Sequence, residues 1–104
     1  MPSNPSHCCR VCGLDHEYFI WGSEGNLPTF DICECCGVEF GYGDTHAQNC
    51  IDIRKHWMEV EGAKWWSYKL KPEKWNLENQ LKQIPKEFQG PDDLKLCAEL
   101  KYKK

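Results

Sequence analysis

Two short runs of apolar residues near the N-terminus have the composition of β-strands. The run EYFIW at residues 17–21 is aromatic and β-branched. After the turn SEGNLP at 23–28, the run TFDI at 29–32 has a similar composition. Because Gly, Asn and Pro between two such runs indicate a reversal of the chain, we predict a short antiparallel hairpin here.

From residue 47 the apolar residues change to a helical period. Ile53, Trp57 and Val60 lie at positions i, i+4 and i+7, and Gly62 follows them as a stop signal. This spacing places the three side chains on one face of a helix. We therefore predict a helix over about residues 47–61.

The second half of the chain predicts two more helices. Leu77, Leu81 and Ile84 repeat the helical spacing between two prolines, which predicts a helix over 73–84. The tail at 92–103 alternates in the manner of a strand, but its Leu, Ala, Glu and Lys residues favour a helix, which we predict. The intervening AKWWSYKL is expected to be a loop that packs its rings onto the domain.

The length of the chain fits one small domain, and its charge is distributed unevenly along the sequence. The chain has 104 residues and a net charge of -3, made up of -7 over residues 1–63 and +4 over 64–104. A domain of this size buries only a modest core. The acidic first part argues against a dominant phosphate-binding role there, because phosphate contacts dominate nucleic-acid affinity. The first six residues, MPSNPS, are predicted to be a disordered lead-in.

The redox compartment of the protein determines whether its eight cysteines are expected to form disulfides or to bind metal. Residues 1–10 contain no apolar run of the kind that a secretory signal needs, and no later segment has the length of a membrane span. We therefore expect a cytoplasmic protein with no membrane partner, whose reduced thiols bind metal rather than form disulfides. A processed secreted fragment would have the same sequence features and remains an alternative.

Two cysteine triads, in HCCRVCG at 7–13 and ICECCG at 32–37, contain matched metal-binding pairs. Within each triad only two cysteines have two residues between them, and a glycine follows each such pair. Twenty residues separate the two pairs, which is the spacing of a four-cysteine zinc site. We predict one structural Zn²⁺ bound by Cys9, Cys12, Cys33 and Cys36.

The remaining cysteines and histidines have simpler interpretations. Cys8 and Cys35 fall outside the two-residue spacing and are expected to be packing thiols. His46, Cys50 and His56 lie on the first predicted helix, where a second metal is an alternative to a buried Cys50 flanked by outward-facing histidines, which we favour. A redox role for a Cys-x-x-Cys pair is disfavoured, because neither pair begins a strand-to-helix unit. No catalytic residue set is recognisable, so we expect that the protein is not an enzyme.

The sequence resembles the cysteine-rich CPCC domain of bacterial proteins over about residues 8–66. The resemblance rests on the Cys-x-x-Cys-Gly frame, the short aromatic hairpin, the run FDICECCG at 30–37 and the helix carrying Asn49, Ile53, Arg54 and Trp57. Arg10 and Glu34 stand where that group usually has proline, which removes no ligand. Members of the group resemble small proteins encoded near bacterial polymorphic toxins, some of which act as immunity proteins.

Together these features predict an α+β fold in which a small zinc ribbon of short antiparallel strands precedes two or three α-helices. We expect the zinc-ribbon domain with its capping helix at 7–66. A helical, lysine-rich extension at 67–104 is expected to pack on the same domain.

The predicted function is non-catalytic binding of a protein partner. We expect an immunity-type protein that neutralises a bacterial toxin domain, in contact-dependent inhibition or a similar system. Adaptor and structural roles are alternatives, and so is binding of single-stranded nucleic acid through the segment KWWSYKLKPEKW. Acidic residues would attract a basic partner, and exposed tryptophans would anchor it. The candidate contact residues are Glu17, Glu24, Glu39, Asp44, Trp65 and Trp66.

Overall fold

The structure consists of helices and turns around one small core. The computed structural model describes residues 4–102, with side chains described as far as Leu100. It contains three α-helices: α1 (Ala47–Glu59), α2 (Leu77–Leu81) and α3 (Asp93–Tyr102). Single 3-10 turns occur at Pro5–His7, Tyr68–Leu70 and Lys86–Phe88. Helix α1 packs against α3 and the Lys86–Phe88 turn, and α2 packs against α3.

The predicted α+β fold with a zinc-ribbon sheet is wrong, because residues 4–102 contain no β-strand. Their β pairing is limited to two isolated bridges, Cys8 with Asp15 and Ile32 with Glu39. Both predicted strands contain a residue with positive φ, Glu17 at 63° and Phe30 at 62°, and such a φ takes the backbone out of the β region. The fold is therefore a small globule of helices and loops.

Helix α1 lies where the sequence predicts a helix, but its buried face is rotated from the predicted one. Val60, expected on the buried face, is 69% exposed, because the helix ends at Glu59 and the chain turns away at Gly62 with a φ of 65°. Ile53 is only half-buried. The residues that α1 buries are Cys50, Arg54, Trp57 and Met58.

The other two helices differ from their predictions mainly in length. Helix α2 spans five residues rather than the predicted 73–84, because the chain becomes helical only after Asn76, whose side chain accepts a hydrogen bond from the Asn79 amide at 2.9 Å. Leu81 and Ile84 are nevertheless buried as predicted. The tail is helical, as α3.

The N-terminal segment is described from Asn4 onward, so residues 1–3 of the predicted lead-in lie outside the described residues. The Asn4 side chain accepts a hydrogen bond from the Ser6 amide at 2.9 Å and caps the Pro5–His7 turn. This turn leads directly into the first cysteine triad.

A fully buried arginine on α1 joins the two halves of the chain. Arg54 donates to both carboxylate oxygens of Asp93, at the start of α3, at 3.0 Å. Its other N–H groups donate to backbone carbonyls of the first cysteine triad and of the Lys86–Phe88 turn, namely those of Arg10, Val11 and Phe88. All five guanidinium donors therefore have acceptors, which is what a buried charge requires.

We expect Arg54→Met to destabilise the protein by about 3–5 kcal/mol, because it leaves the Asp93 carboxylate and three carbonyls without their donor. Urea unfolding of the metal-loaded protein measures the loss. Lys55→Met is the matched control, since the neighbouring Lys55 is exposed. Equal unfolding midpoints for the two variants would contradict this role of Arg54.

Candidate metal centre

The two cysteine pairs lie in loops with the same backbone hydrogen bonds. In each loop the amide of the glycine donates to the carbonyl of the first cysteine at 2.9 Å: Gly13 to Cys9, and Gly37 to Cys33. The amide of Cys9 in turn donates to the carbonyl of Leu14, and that of Cys33 to the carbonyl of Val38, both at 2.9 Å. Each loop thus forms a closed turn, in which its two thiols are held on one side.

The equivalence extends beyond the loops. Each position in residues 8–16 has a counterpart 24 positions later, in residues 32–40. The bridge between Cys8 and Asp15 corresponds to that between Ile32 and Glu39. His16 and Phe40 are also counterparts, and their rings pack edge to face with centroids 5.1 Å apart. The centre is therefore an internal repeat whose two copies face each other.

Glycine is required after each cysteine pair for two reasons. Gly13 and Gly37 have φ values of 86° and 82°, in the region that favours glycine. A Cβ at Gly13 would lie 2.0 Å from the Gln80 carbonyl oxygen, and one at Gly37 would lie 2.8 Å from the Trp66 ring. Both loops are thus closely covered by residues from the second half of the chain.

The structure brings the four predicted ligands into one cluster that could hold a metal ion. The Sγ atoms of Cys9, Cys12, Cys33 and Cys36 all lie within 4.8 Å of one another. Two pairs across the loops, Cys9 with Cys36 and Cys12 with Cys33, are 3.6 Å apart. Tetrahedral coordination with metal–sulfur bonds of about 2.3 Å places sulfurs about 3.8 Å apart, so the donor set fits such an ion with small adjustments.

The pKa values of the four thiols reflect their burial in one cluster. Burial raises the pKa of Cys12 and of Cys36, and a hydrogen bond with Cys12 raises that of Cys33. Burial also opposes ionisation of Cys9, but hydrogen bonds with the other three thiols lower the pKa of Cys9 below its ordinary value. The cluster thus disfavours several thiolates at once unless a cation compensates their charge.

Polar groups around the cluster position the loops. The Val11 amide donates to Cys9 Sγ at 3.4 Å, a contact that stabilises a thiolate. Gln80 of α2 donates through its side-chain amide to the Cys12 carbonyl at 3.1 Å and to Cys35 Sγ at 3.3 Å. His16 is buried beside the cluster, with its Nδ1 3.5 Å from a Glu34 carboxylate oxygen.

One side of the cluster is reachable from the surface. Cys9, Cys12 and Cys33 are buried, whereas Cys36 is partly exposed. Cys36 borders a cavity of about 290 Å³ that Glu61, Lys64, Trp65 and Trp66 also line. This cavity therefore borders the cluster on the side of Cys36.

The remaining cysteines lie outside the cluster. Cys8, Cys35, Cys50 and Cys97 are all buried. Burial raises the pKa of Cys8 to about 11 and that of Cys50 to about 12, so both are neutral thiols at physiological pH. His46 and His56 are exposed, and the described part of the chain contains no second group of three or more metal-ligating side chains within coordinating distance.

Two of the six candidate partner-contact residues are not surface residues, which corrects that part of the prediction. Asp44 is fully buried, where its carboxylate accepts from Trp21 Nε1 at 2.8 Å and from the Gly41 amide at 2.7 Å. Trp65 is 4% exposed and packs in the core. The other four, which are accessible to a partner, are Glu17, Glu24, Glu39 and Trp66.

Sequence reasoning missed the buried polar residues that hold the loops in place. Arg54, Gln80 and Asp44 are charged or polar types that normally lie at the surface, so a pattern of apolar residues does not find them. For Arg54 a signal was present: it lies between Cys50 and Trp57 at helical spacing, on the face that proved to be buried.

Comparison with known proteins gives one partial relationship. The uncharacterized protein YoaQ of Bacillus subtilis (strain 168) is 42% identical over 41 residues, which are 38% of this chain and 35% of that protein. The match thus spans about a third of the relative's length. No protein-family model and no solved structure matches the chain, so the resemblance to the CPCC group stays a prediction. Within the described residues, no helix is long and apolar enough to cross a membrane.

We expect Cys9→Ser and Cys36→Ser to weaken metal binding by at least about 100-fold, more than the loss of a group outside the coordination sphere. Zinc titration followed by calorimetry measures the affinity. The matched controls are two buried thiols outside the cluster, Cys8→Ser and Cys50→Ser, which should bind nearly as wild type. A larger loss in the controls than in the cluster variants would contradict the assignment.

Metal binding should release protons at pH 7, because the pKa values of Cys12, Cys33 and Cys36 are raised above their ordinary value and the ion binds the thiolate forms. Affinity therefore rises with pH, since fewer protons must be displaced at higher pH. Calorimetry in two buffers of different ionisation enthalpy counts the protons. Binding without proton release would show that other groups hold the metal.

Proposed function

We propose that this protein is a non-catalytic, zinc-stabilised module that binds a basic protein partner, most concretely as an immunity-type inhibitor of a toxin domain. The observation that carries the proposal is an acidic surface rich in exposed apolar side chains. We call it the acidic surface and define it as the exposed part of residues 17–42.

The acidic surface has no basic counterpart nearby in the chain. Residues 11–53 contain no lysine or arginine, while Glu17, Glu24, Asp31 and Glu39 are exposed within or beside this surface. Such a charge distribution accelerates association with a basic protein and disfavours acidic ones. It supports a partner whose contact face is positively charged.

The apolar side chains of the acidic surface are large, and the segments that carry them lie side by side. Backbone hydrogen bonds link Thr29 to Ile20 at 3.1 Å and Phe40 to Asp31 at 2.9 Å, which holds the three segments together. Aromatic side chains that stay exposed in such a cluster are typical anchors of a protein interface. The exposed apolar residues are Tyr18, Phe19, Leu27, Phe30, Ile32 and Tyr42.

The composition of the metal centre supports a scaffold role and zinc as its ion. Four thiolates complete a tetrahedral coordination sphere, so no position remains at which a water molecule could be activated. Soft thiolate donors select zinc, copper(I) or iron, and a four-cysteine tetrahedral site is typical of structural zinc. In this proposal the ion fixes the first loop to the second, and the second loop lies within residues 17–42, which carry the acidic surface.

The direct test is binding of the purified zinc-loaded protein to any toxin domain that is encoded beside its gene. The proposal expects a stoichiometric complex and loss of the toxin's activity within it. If neither that toxin domain nor any other product of the neighbouring genes forms a complex, the immunity-type function is wrong.

Charge reversal should locate the interface. We expect the double variant Glu24→Lys/Glu39→Lys to slow association with the toxin domain by about tenfold at low salt, with a smaller effect at high salt. Stopped-flow mixing measures the rate. Glu73→Lys, an exposed acid outside the acidic surface, is the control, and equal rates for both variants would place the interface elsewhere.

A further inference from the structure

We propose a second binding surface, for single-stranded nucleic acid, on the segment between α1 and α2. This surface, which we call the basic segment, consists of residues 64–74 and goes beyond the protein-binding function proposed above. Four lysines and one acidic residue give it a charge of +3 within a chain whose net charge is -3. Its exposed lysines are Lys64, Lys69, Lys71 and Lys74.

The basic segment exposes aromatic rings among these lysines. Trp66 is 64% exposed and Tyr68 is 70% exposed, although the chain has an apolar core in which other tryptophans are buried. Cationic side chains that contact phosphates, interleaved with rings on which bases stack, form the usual surface for single-stranded nucleic acid. The two rings are close in the chain, since only Ser67 separates Trp66 from Tyr68.

The second cysteine loop, residues 33–38, holds the basic segment in a defined position. The Trp66 amide donates to the Cys35 carbonyl at 2.9 Å, and the Ser67 amide donates to the Glu34 carbonyl at 2.8 Å. The Trp66 ring lies against Gly37, where a Cβ would meet it at 2.8 Å. Trp66 is thus positioned before any ligand binds, which lowers the entropic cost of stacking.

Nucleic acid fits the basic segment better than a membrane surface does. The segment has one exposed aliphatic residue, Leu70, and its regular structure is a single 3-10 turn at Tyr68–Leu70. A membrane-surface segment is instead an amphipathic helix with a wide apolar face. Two exposed rings beside four lysines match the alternation of base and phosphate along a single strand.

The test is binding of the full-length zinc-loaded protein to fluorescent oligo-dT and oligo-U of about 12 nucleotides, a length within known site sizes. Anisotropy over a salt series should show affinity that falls with a log–log slope of about -2 to -3, since each phosphate contact on a single strand contributes about -0.7. No binding at micromolar protein in low salt would overturn the proposal.

Two kinds of variant separate stacking from charge. Tyr68→Ala and Trp66→Ala should each weaken binding by about tenfold and leave the salt slope unchanged. Because Trp66 packs on the second cysteine loop, its substitution could also disturb the metal site, so Tyr68→Ala is the decisive variant. Lys69→Ala should instead reduce the slope by about 0.7. The controls are Tyr42→Ala on the acidic surface and Lys82→Ala directly after α2, both exposed, which should change neither quantity.

Two further arms test the alternative occupants. Vesicles of phosphatidylserine and phosphatidylcholine should bind more weakly than the oligonucleotides, and sedimentation should show a monomer at the same protein concentration. Stronger vesicle binding, or self-association that Tyr68→Ala abolishes, would overturn the assignment of this surface to nucleic acid.

Discussion

The approach of four thiols to within 4.8 Å of one another is the constraint on which the rest of this structure depends. Thiolates at that distance repel one another unless a cation lies between them, and without one most of the thiols stay protonated. The described residues have no sheet to hold the two loops together, and the core of a chain this short is small. A shared metal ion bound by the four thiols would supply the link between the loops that a larger protein obtains from packing.

The second half of the chain completes this centre from outside the coordination sphere. Arg54 binds carbonyls of the first loop and the start of α3 through one guanidinium, and Gln80 binds the first loop from α2. The close approach of Gln80 and Trp66 to the two glycines leaves no room for side chains there. The C-terminal half of the chain thus packs directly on both cysteine loops, and we expect that substitution of Arg54 disturbs the thiol cluster.

The parts of the structure that are determined locally could be predicted from the sequence, and those determined by tertiary contacts could not. The Cys-x-x-Cys-Gly spacing describes a single turn, so it was sufficient to select the four thiols that cluster. The apolar period predicted the position of helix α1 but not which of its faces is buried, because Arg54 rather than Ile53 is fully buried. The predicted strands failed because Glu17 and Phe30 adopt positive φ, which neither residue type favours and which composition does not reveal.

The central claim is that Cys9, Cys12, Cys33 and Cys36 bind one structural zinc ion, on which both proposed surfaces depend. X-ray absorption spectroscopy of the freshly purified, reduced protein tests this most directly, because it gives the element, the donor atoms and the bond lengths together. We predict one zinc per chain with four sulfur ligands at about 2.3 Å. Nitrogen or oxygen donors in the coordination sphere, or freshly purified, reduced protein that contains no metal, would contradict the account.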